Sequence, residues 1–181
     1  GELKSAPEVK YRSILDYDTP IEWINTEGME CNEEFVGESF GRINKEEAAL
    51  SISQLTNYIN KIGKDRFLEE RIDVGLISPY KAQVQYLRQL IKRDAFFKPY
   101  RHLITINTVD GFQGQERDVI LISLVRANEE GQIGFLNDLR RMNVAITRAR
   151  MKLIILGDAS TLTKHPFYKK LYEYIYSLQT H

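Results

Sequence analysis

The sequence predicts an α/β fold: a three-layer unit in which a mostly parallel sheet is covered by helices on both faces. Val119 to Val125 is apolar except for Ser123 and is bounded by charge, the pattern of a strand buried on both sides. A second such run, Ile72 to Ser78, stands ahead of a helical pattern carrying Val84, Leu87, Leu90 and Ile91. Strand-like and helix-like stretches alternate along most of the chain, which implies βαβ units.

Taken in order, residues 1–19 are polar and irregular and read as a connecting arm, with residues 20–181 as the folded unit. Pro20 to Thr26 alternates apolar and polar and predicts a first strand. Residues 28–41 form a polar loop that contains Cys31, Phe35 and Phe40. Asn44 with Glu47 three positions later matches a reciprocal capping box. Ala48, Ile52, Leu55, Ile59 and Ile62 then keep helical spacing as far as Gly63, which suits a C-cap.

Ile72 to Ser78 is the second strand. Pro79-Tyr80-Lys81-Ala82-Gln83 follows at its C-terminal end, where open α/β sheets place ligands. Asp94 to Arg101 reads as a loop and Leu103 to Asn107 as the third strand. That strand delivers Thr108 into a turn, Asp110-Gly111-Phe112-Gln113-Gly114-Gln115-Glu116, whose glycines let bare backbone approach a ligand.

Arg117 to Arg126 holds the fourth strand, and residues 128–134 are a polar loop. Leu136 to Thr147 predicts a helix with Leu136, Leu139, Met142, Val144 and Ile146 as apolar positions. Arg140, Arg141, Arg148 and Arg150 stand in and just after it, and arginine is the side chain best shaped to fork onto phosphate. Lys152 to Leu156 is the fifth strand. Two short helices close the chain, with Phe167, Leu171, Ile175 and Leu178 as a core stripe.

Composition narrows the class. The chain has 181 residues with 25 Lys+Arg against 25 Asp+Glu, so any basic site is local, and Arg140 to Lys152, which holds no acid, is the candidate. The single cysteine, Cys31, excludes an internal disulfide framework, and the three histidines lack metal-ligand spacing. No apolar run approaches the roughly 18 to 20 residues of a membrane span, and no signal peptide opens the chain, so a reducing, soluble compartment is expected.

Three blocks carry a resemblance: TVDGFQGQE (Thr108 to Glu116), SLVRAN (Ser123 to Asn128) and GFLNDLRRMNVAITRAR (Gly134 to Arg150). In order and spacing they resemble motifs V and VI of superfamily 1 helicases, in the branch of the nonsense-mediated-decay helicase and its DNA and RNA helicase relatives. Ser78 to Gln83 resembles motif IV of the same family. One departure is Leu139, where the family often has proline. The resemblance covers roughly Pro20 to Tyr174. It implies a RecA-like, P-loop NTPase-like lobe, the second of two, with ATP and Mg²⁺ as cofactors, single-stranded DNA or RNA as partner, and an N-terminal RecA-like lobe of the same protein across the cleft. On that reading Gly1 is a cut inside a longer protein, located in the cytoplasm, or in the nucleus of a eukaryote.

By the same resemblance, Arg148 is the arginine finger that reaches the γ-phosphate, Glu116 bonds the nucleotide ribose, and Gly114 lets the backbone pass close to the phosphates. Pro79, Tyr80, Thr108, Val109 and Asp110 match positions that line a single strand. NTP hydrolysis also needs a phosphate cradle with lysine and a Mg²⁺-holding carboxylate. The cradle signature G-x-x-x-x-G-K-[ST] is absent: Gly63-Lys64 precedes Asp65, and no glycine stands five residues earlier. The lobe therefore lacks its own Walker A, the Mg²⁺ ligands lie outside this chain, and the 181 residues alone are expected to be inactive.

Plainer readings stand beside these. Tyr80 serves as core or as a stacking face. Arg140, Arg141 and Arg150 are a solvated face, partners of acidic neighbours, or groups that orient Arg148. Asn44 and Glu47 are capping groups, Trp23 is core, and Cys31 is a small hydrophobe or a loop thiol. Tyr168, Tyr172, Tyr174 and Tyr176 are packing residues. The rival to a motor lobe is a non-catalytic nucleic-acid-binding adaptor or regulatory lobe on the same fold.

Overall fold

The computed structural model describes residue 15, residues 18–37 and residues 41–179. The arm predicted over 1–19 therefore lies mostly outside the described residues, as does Phe40.

In chain order the elements are β1 (Ile21–Asn25), β2 (Glu34–Phe35), β3 (Arg42–Ile43), α1 (Lys45–Ile62), α2 (Lys64–Glu69), β4 (Val74–Ile77) and α3 (Lys81–Arg93). There follow a 3-10 helix (Ala95–Leu103), β5 (Ile104–Asn107), a short 3-10 turn (Val109–Phe112), β6 (Arg117–Ser123) and a second such turn (Gly134–Asn137). Last come α4 (Leu139–Ile146), β7 (Ala149–Gly157), α5 (Ala159–Leu162) and α6 (Pro166–Gln179).

Five strands form one parallel sheet in the order β1-β7-β6-β4-β5. Its interior strands are apolar without alternation because both faces are covered. Val119 and Leu121 of β6 join a core with Leu55, Ile59, Leu87 and Ile91 of α1 and α3. Ile120 and Ile122 join the opposite core with Met142, Ile146, Phe167 and Leu171 of α4 and α6. This is the expected three-layer α/β arrangement. Among the described residues, no helix is long and apolar enough to cross a membrane.

Several local expectations are corrected. The 28–41 loop contains β2, which pairs antiparallel with β3 just beyond it. Asp94 to Arg101 is a 3-10 helix: Asp94 caps it by accepting from Phe96 N (3.0 Å), and Phe97, Tyr100 and Leu103 are buried at a spacing of three, the period of that helix. α2 was not anticipated and follows directly from Gly63. The helix predicted from Leu136 starts at Leu139, because Asp138 caps it by accepting from Arg141 N. Leu139 thus occupies the first helical position, where proline is also favoured. The fifth strand runs three residues further back, to Ala149, with a bulge opposite Arg117/Val119.

Leu178 and Tyr176 are exposed and leave the predicted stripe and packing set, whereas Phe167, Leu171, Ile175 and Tyr168 are buried. Trp23 is core, its Nε1 donating to Gly157 O (3.1 Å), and Cys31 is buried. The capping box is half made. Asn44 Oδ1 accepts from Glu47 N (3.0 Å), but Asn44 N donates to Gln83 Oε1 (3.0 Å) and the Glu47 carboxylate turns elsewhere.

Candidate functional site

The connection from β5 to β6 crosses over β4, since β4 lies between those strands in the sheet. It begins at the C-terminal edge of the sheet with Thr108, Val109 and Asp110 and ends at the N-terminal edge with Gly114 and Glu116. Val109 and Phe112 pin it to the apolar face that also carries α4. α4 runs beside it in the same sense, from Asp138 near the C-terminal edge to Arg148 at the N-terminal edge. Its eight residues span about 12 Å. The candidate residues therefore fall into two groups at opposite ends of the sheet, joined by these two connections.

At the C-terminal edge, Pro79, Thr108, Val109 and Asp110 line a groove of about 210 Å³ that Lys81, Phe135 and Arg141 complete. A wider cleft of about 700 Å³ continues from Asp110 along Asn137, Asp138 and Arg140. Arg141 Nε meets Asp110 Oδ1 at 3.2 Å, and both side chains are exposed. Tyr80 is buried, at 2% exposure, and belongs to the core. Its ring lies against Phe135, with centroids 5.2 Å apart and planes at 26°. Tyr80 Oη donates to Ile133 O (3.3 Å) and accepts from Arg126 Nη1 (3.2 Å).

A polar network supports this edge from below. Glu47, fully buried, accepts from Ser123 Oγ (2.6 Å) and Val125 N (2.7 Å) through one oxygen, and its other oxygen makes no hydrogen bond among the described residues. Burial, with a smaller contribution from the Asp158 charge, pushes the Glu47 carboxyl up to about 7, against the lowering effect of Ser123 and of the Val125 and Leu124 backbone. Gln83 Nε2 donates to Ser123 Oγ (3.0 Å) and Asn44 O (2.9 Å), and Asn44 Nδ2 donates to Val125 O (2.9 Å). Beyond Val125, Arg126 Nε, Ala127 N and Asn128 Nδ2 all converge on Glu33.

At the N-terminal edge, Gly114, Glu116 and Arg148 stand at the starts of β6 and β7. Arg117 N donates to Arg148 O (3.0 Å), which ties the turn to the arginine. Gly114 has φ +73, and a Cβ there would meet nothing within 4 Å, so the glycine answers a backbone requirement on open surface. Glu116 is exposed and its carboxylate joins no ion pair among the described residues.

The arginines differ sharply from one another. Arg150 forks onto Asp73 (2.9 Å) and Asp118 (3.0 Å), and Arg141 pairs with Asp110. Arg148 makes no ion pair among the described residues; its Nε is buried without a hydrogen bond, and its Nη2 reaches only Thr147 Oγ1, at 3.4 Å. Lys152 is buried between Asp18 and Glu22, each at 2.8 Å. The basic segment from Arg140 to Lys152 is thus not a continuous basic surface, because folding neutralises Arg141, Arg150 and Lys152.

The sequence blocks contained Phe135, Arg126 and Gln83 without marking them. Phe135 is visible only as an apolar residue between Gly134 and Leu136, and its exposure follows from the three-dimensional turn. Glu33 lay in a loop read as featureless.

An AAA domain model matches residues 1–160. An uncharacterized ATP-dependent helicase of Methanocaldococcus jannaschii is 38% identical over 168 residues, 93% of this chain and 22% of that protein. The DNA replication ATP-dependent helicase/nuclease DNA2 of Mus musculus is 35% identical over 163 residues, 90% of this chain and 14% of that protein. A putative regulator of nonsense transcripts 1 of Takifugu rubripes is 36% identical over 154 residues, 85% of this chain and 13% of that protein. The chain spans less than a quarter of the length of these relatives.

Proposed function

The chain belongs to the AAA domain family, in its superfamily 1 helicase branch, and from that membership we propose that it is the second, C-terminal motor lobe of an ATP-dependent helicase or translocase. Residues 20–181 form the lobe and residues 1–19 the arm from an upstream RecA-like lobe. That upstream lobe supplies the Walker A cradle and the Mg²⁺ ligands. The present lobe supplies Arg148 to the γ-phosphate, Glu116 to the ribose and the Gly114 backbone beside the phosphates. Pro79, Tyr80, Thr108, Val109 and Asp110 form its part of the grip on a single strand of DNA or RNA, Tyr80 by supporting the groove from beneath.

The observation that carries the reading is the state of Arg148. Among the described residues Arg148 has a buried, unbonded Nε, no carboxylate partner and a 3.4 Å contact from Nη2 to Thr147 Oγ1, which leaves its charge available to an anion that arrives from outside the lobe. MgATP supplies that anion when bound, and charge building on its transferring phosphoryl is what an arginine finger stabilises. The turn from Thr108 to Glu116 and helix α4 each touch the grip at one end and the nucleotide edge at the other. Closure on ATP therefore shifts both ends together.

The test is ATP hydrolysis by the protein with its upstream lobe, with and without single-stranded DNA or RNA, for wild type and Arg148→Ala. Expected are stimulation by nucleic acid in the wild type and a loss of roughly 10³-fold or more in the variant, with ATP still bound. A variant that turns over like wild type overturns the assignment of Arg148. A wild type silent with every nucleic acid supports the adaptor reading instead. The isolated 181 residues, holding half of the site, are expected to show no steady hydrolysis.

A further inference from the structure

Phe135 is a large apolar side chain left 48% exposed in the groove at the C-terminal edge of the sheet. Single exposed apolar residues are ordinary, but this one rests on a built support. Its inner face stacks on Tyr80, and Tyr80 is fixed through its hydroxyl by Arg126 and Ile133 O. Arg126 is itself buried and held by Glu33 at 3.1 Å.

The backbone on either side of Phe135 is anchored as well. Gly134 has φ +52, and a Cβ there would stand 2.3 Å from Arg126 Nη1 and 2.8 Å from Tyr80 Oη. Only glycine lets the turn close over that pair. Leu136 is fully buried, and its carbonyl accepts from Tyr168 Oη (2.5 Å). The fold thus holds the residues before and after Phe135 and leaves the ring exposed beside Lys81, Pro79, Thr108 and the Arg141–Asp110 pair.

We propose that Phe135 is a stacking platform for one base of the single strand, with Lys81 beside it to meet a flanking phosphate. The inference rests on the helicase reading and adds to it the residue that grips a base. An aromatic face beside a lysine suits single-stranded nucleic acid, because every base offers a π-face and the backbone carries regular negative charge. Binding at Phe135 is accordingly tolerant of sequence.

The test uses the protein with its upstream lobe and fluorescent homopolymeric DNA and RNA oligonucleotides at fixed salt, comparing wild type, Phe135→Ala and Phe135→Trp. Phe135→Ala is expected to bind roughly 5- to 100-fold more weakly. Because no charge is removed, the salt dependence of its affinity keeps the wild-type slope. Phe135→Trp is expected to retain affinity, with its indole emission quenched on binding. An abasic site walked along the oligonucleotide weakens wild-type binding most at one position, and that position loses its effect in Phe135→Ala, an outcome that a merely structural role for the ring does not produce. Unchanged affinity in Phe135→Ala, or an abasic profile identical in both proteins, overturns the platform and leaves the helicase reading standing. A wild type that binds neither DNA nor RNA overturns both.

Discussion

Glu47 accepts the backbone N–H of Val125 at 2.7 Å, across 78 residues of sequence. Val125 needs that support, because its φ of +72 is a left-handed conformation that a β-branched residue adopts at a cost of about 1–3 kcal/mol. Asn44 holds the other side of the same residue by donating to its carbonyl. The first turn of α1 therefore sets the exit of β6, and that exit directs Arg126 to Tyr80 and Glu33. Residues that read as simple capping groups in the sequence shape the floor of the groove.

The first prediction concerns pH. The Glu47 carboxyl is raised from its ordinary 4.5 to about 7 in the folded chain. The folded state therefore binds more protons than the unfolded state between those values, and stability from this group is fully present below about 4.5 and is lost as pH rises through 7. Glu47→Gln keeps an acceptor for Val125 N and removes the titration. Urea denaturation at pH 5 and pH 8 is expected to show the variant gaining on wild type by about 2.5 kcal/mol between the two conditions. A difference between the two proteins that does not change with pH would mean that Glu47 stays ionised in its buried site.

Arg148 and Arg150 sit two residues apart and are predicted to fail in different ways. Arg150→Ala strands Asp73 and Asp118, which also bond each other's backbone N–H groups (3.1 and 2.6 Å). With Arg150 about a third exposed, a loss of about 1–2 kcal/mol in urea denaturation is expected. Arg150→Lys recovers little of it, because an ammonium cannot fork onto two carboxylates. Arg148→Ala is expected to leave stability within about 0.5 kcal/mol of wild type. Equal destabilisation by the two substitutions would remove the ground for treating Arg148 as the group kept free for a ligand.

Periodicity exposed the sheet and the main helices because buried parallel strands and amphipathic helices write their burial into composition. Val119 to Val125 and the stripe from Ala48 to Ile62 show this directly. The 3-10 helix at Ala95–Leu103 was not legible, since its buried residues repeat at three and Pro99 sits inside it. The blocks from Thr108 to Arg150 placed both candidate sites in one region. They did not distinguish arginines by their partners, because Asp73, Asp110 and Asp118 are distant from them in sequence. Tyr80 and Phe135 show the same limit. Nothing local says which of two aromatic rings faces water, and the answer depends on where Arg126 and Gly134 meet.

Residues 18–20 are fastened to β7 by a buried lysine. Lys152 in β7 is 1% exposed, yet it stands between Asp18 and Glu22, donates to Thr19 O and lies 5.4 Å from the centre of the Tyr58 ring. Asp18 also accepts from Tyr58 Oη at 2.7 Å, and burial together with that carboxylate raises the Tyr58 pKa. Removing one member of such a buried cluster leaves charge behind in a poorly solvated place, so Lys152→Ala is expected to cost about 3 kcal/mol or more in urea denaturation. Lys152→Met fills most of the volume and separates charge from packing. If the ion cluster is what fastens the chain to β7, Lys152→Met loses protection from hydrogen exchange at the amides of Asp18 and Thr19 even where its global stability is close to wild type. Wild-type exchange at Asp18 and Thr19 in Lys152→Met would instead assign the attachment to the backbone pairing of Leu153 N with Pro20 O (2.9 Å), and the buried lysine would hold nothing that apolar contact does not.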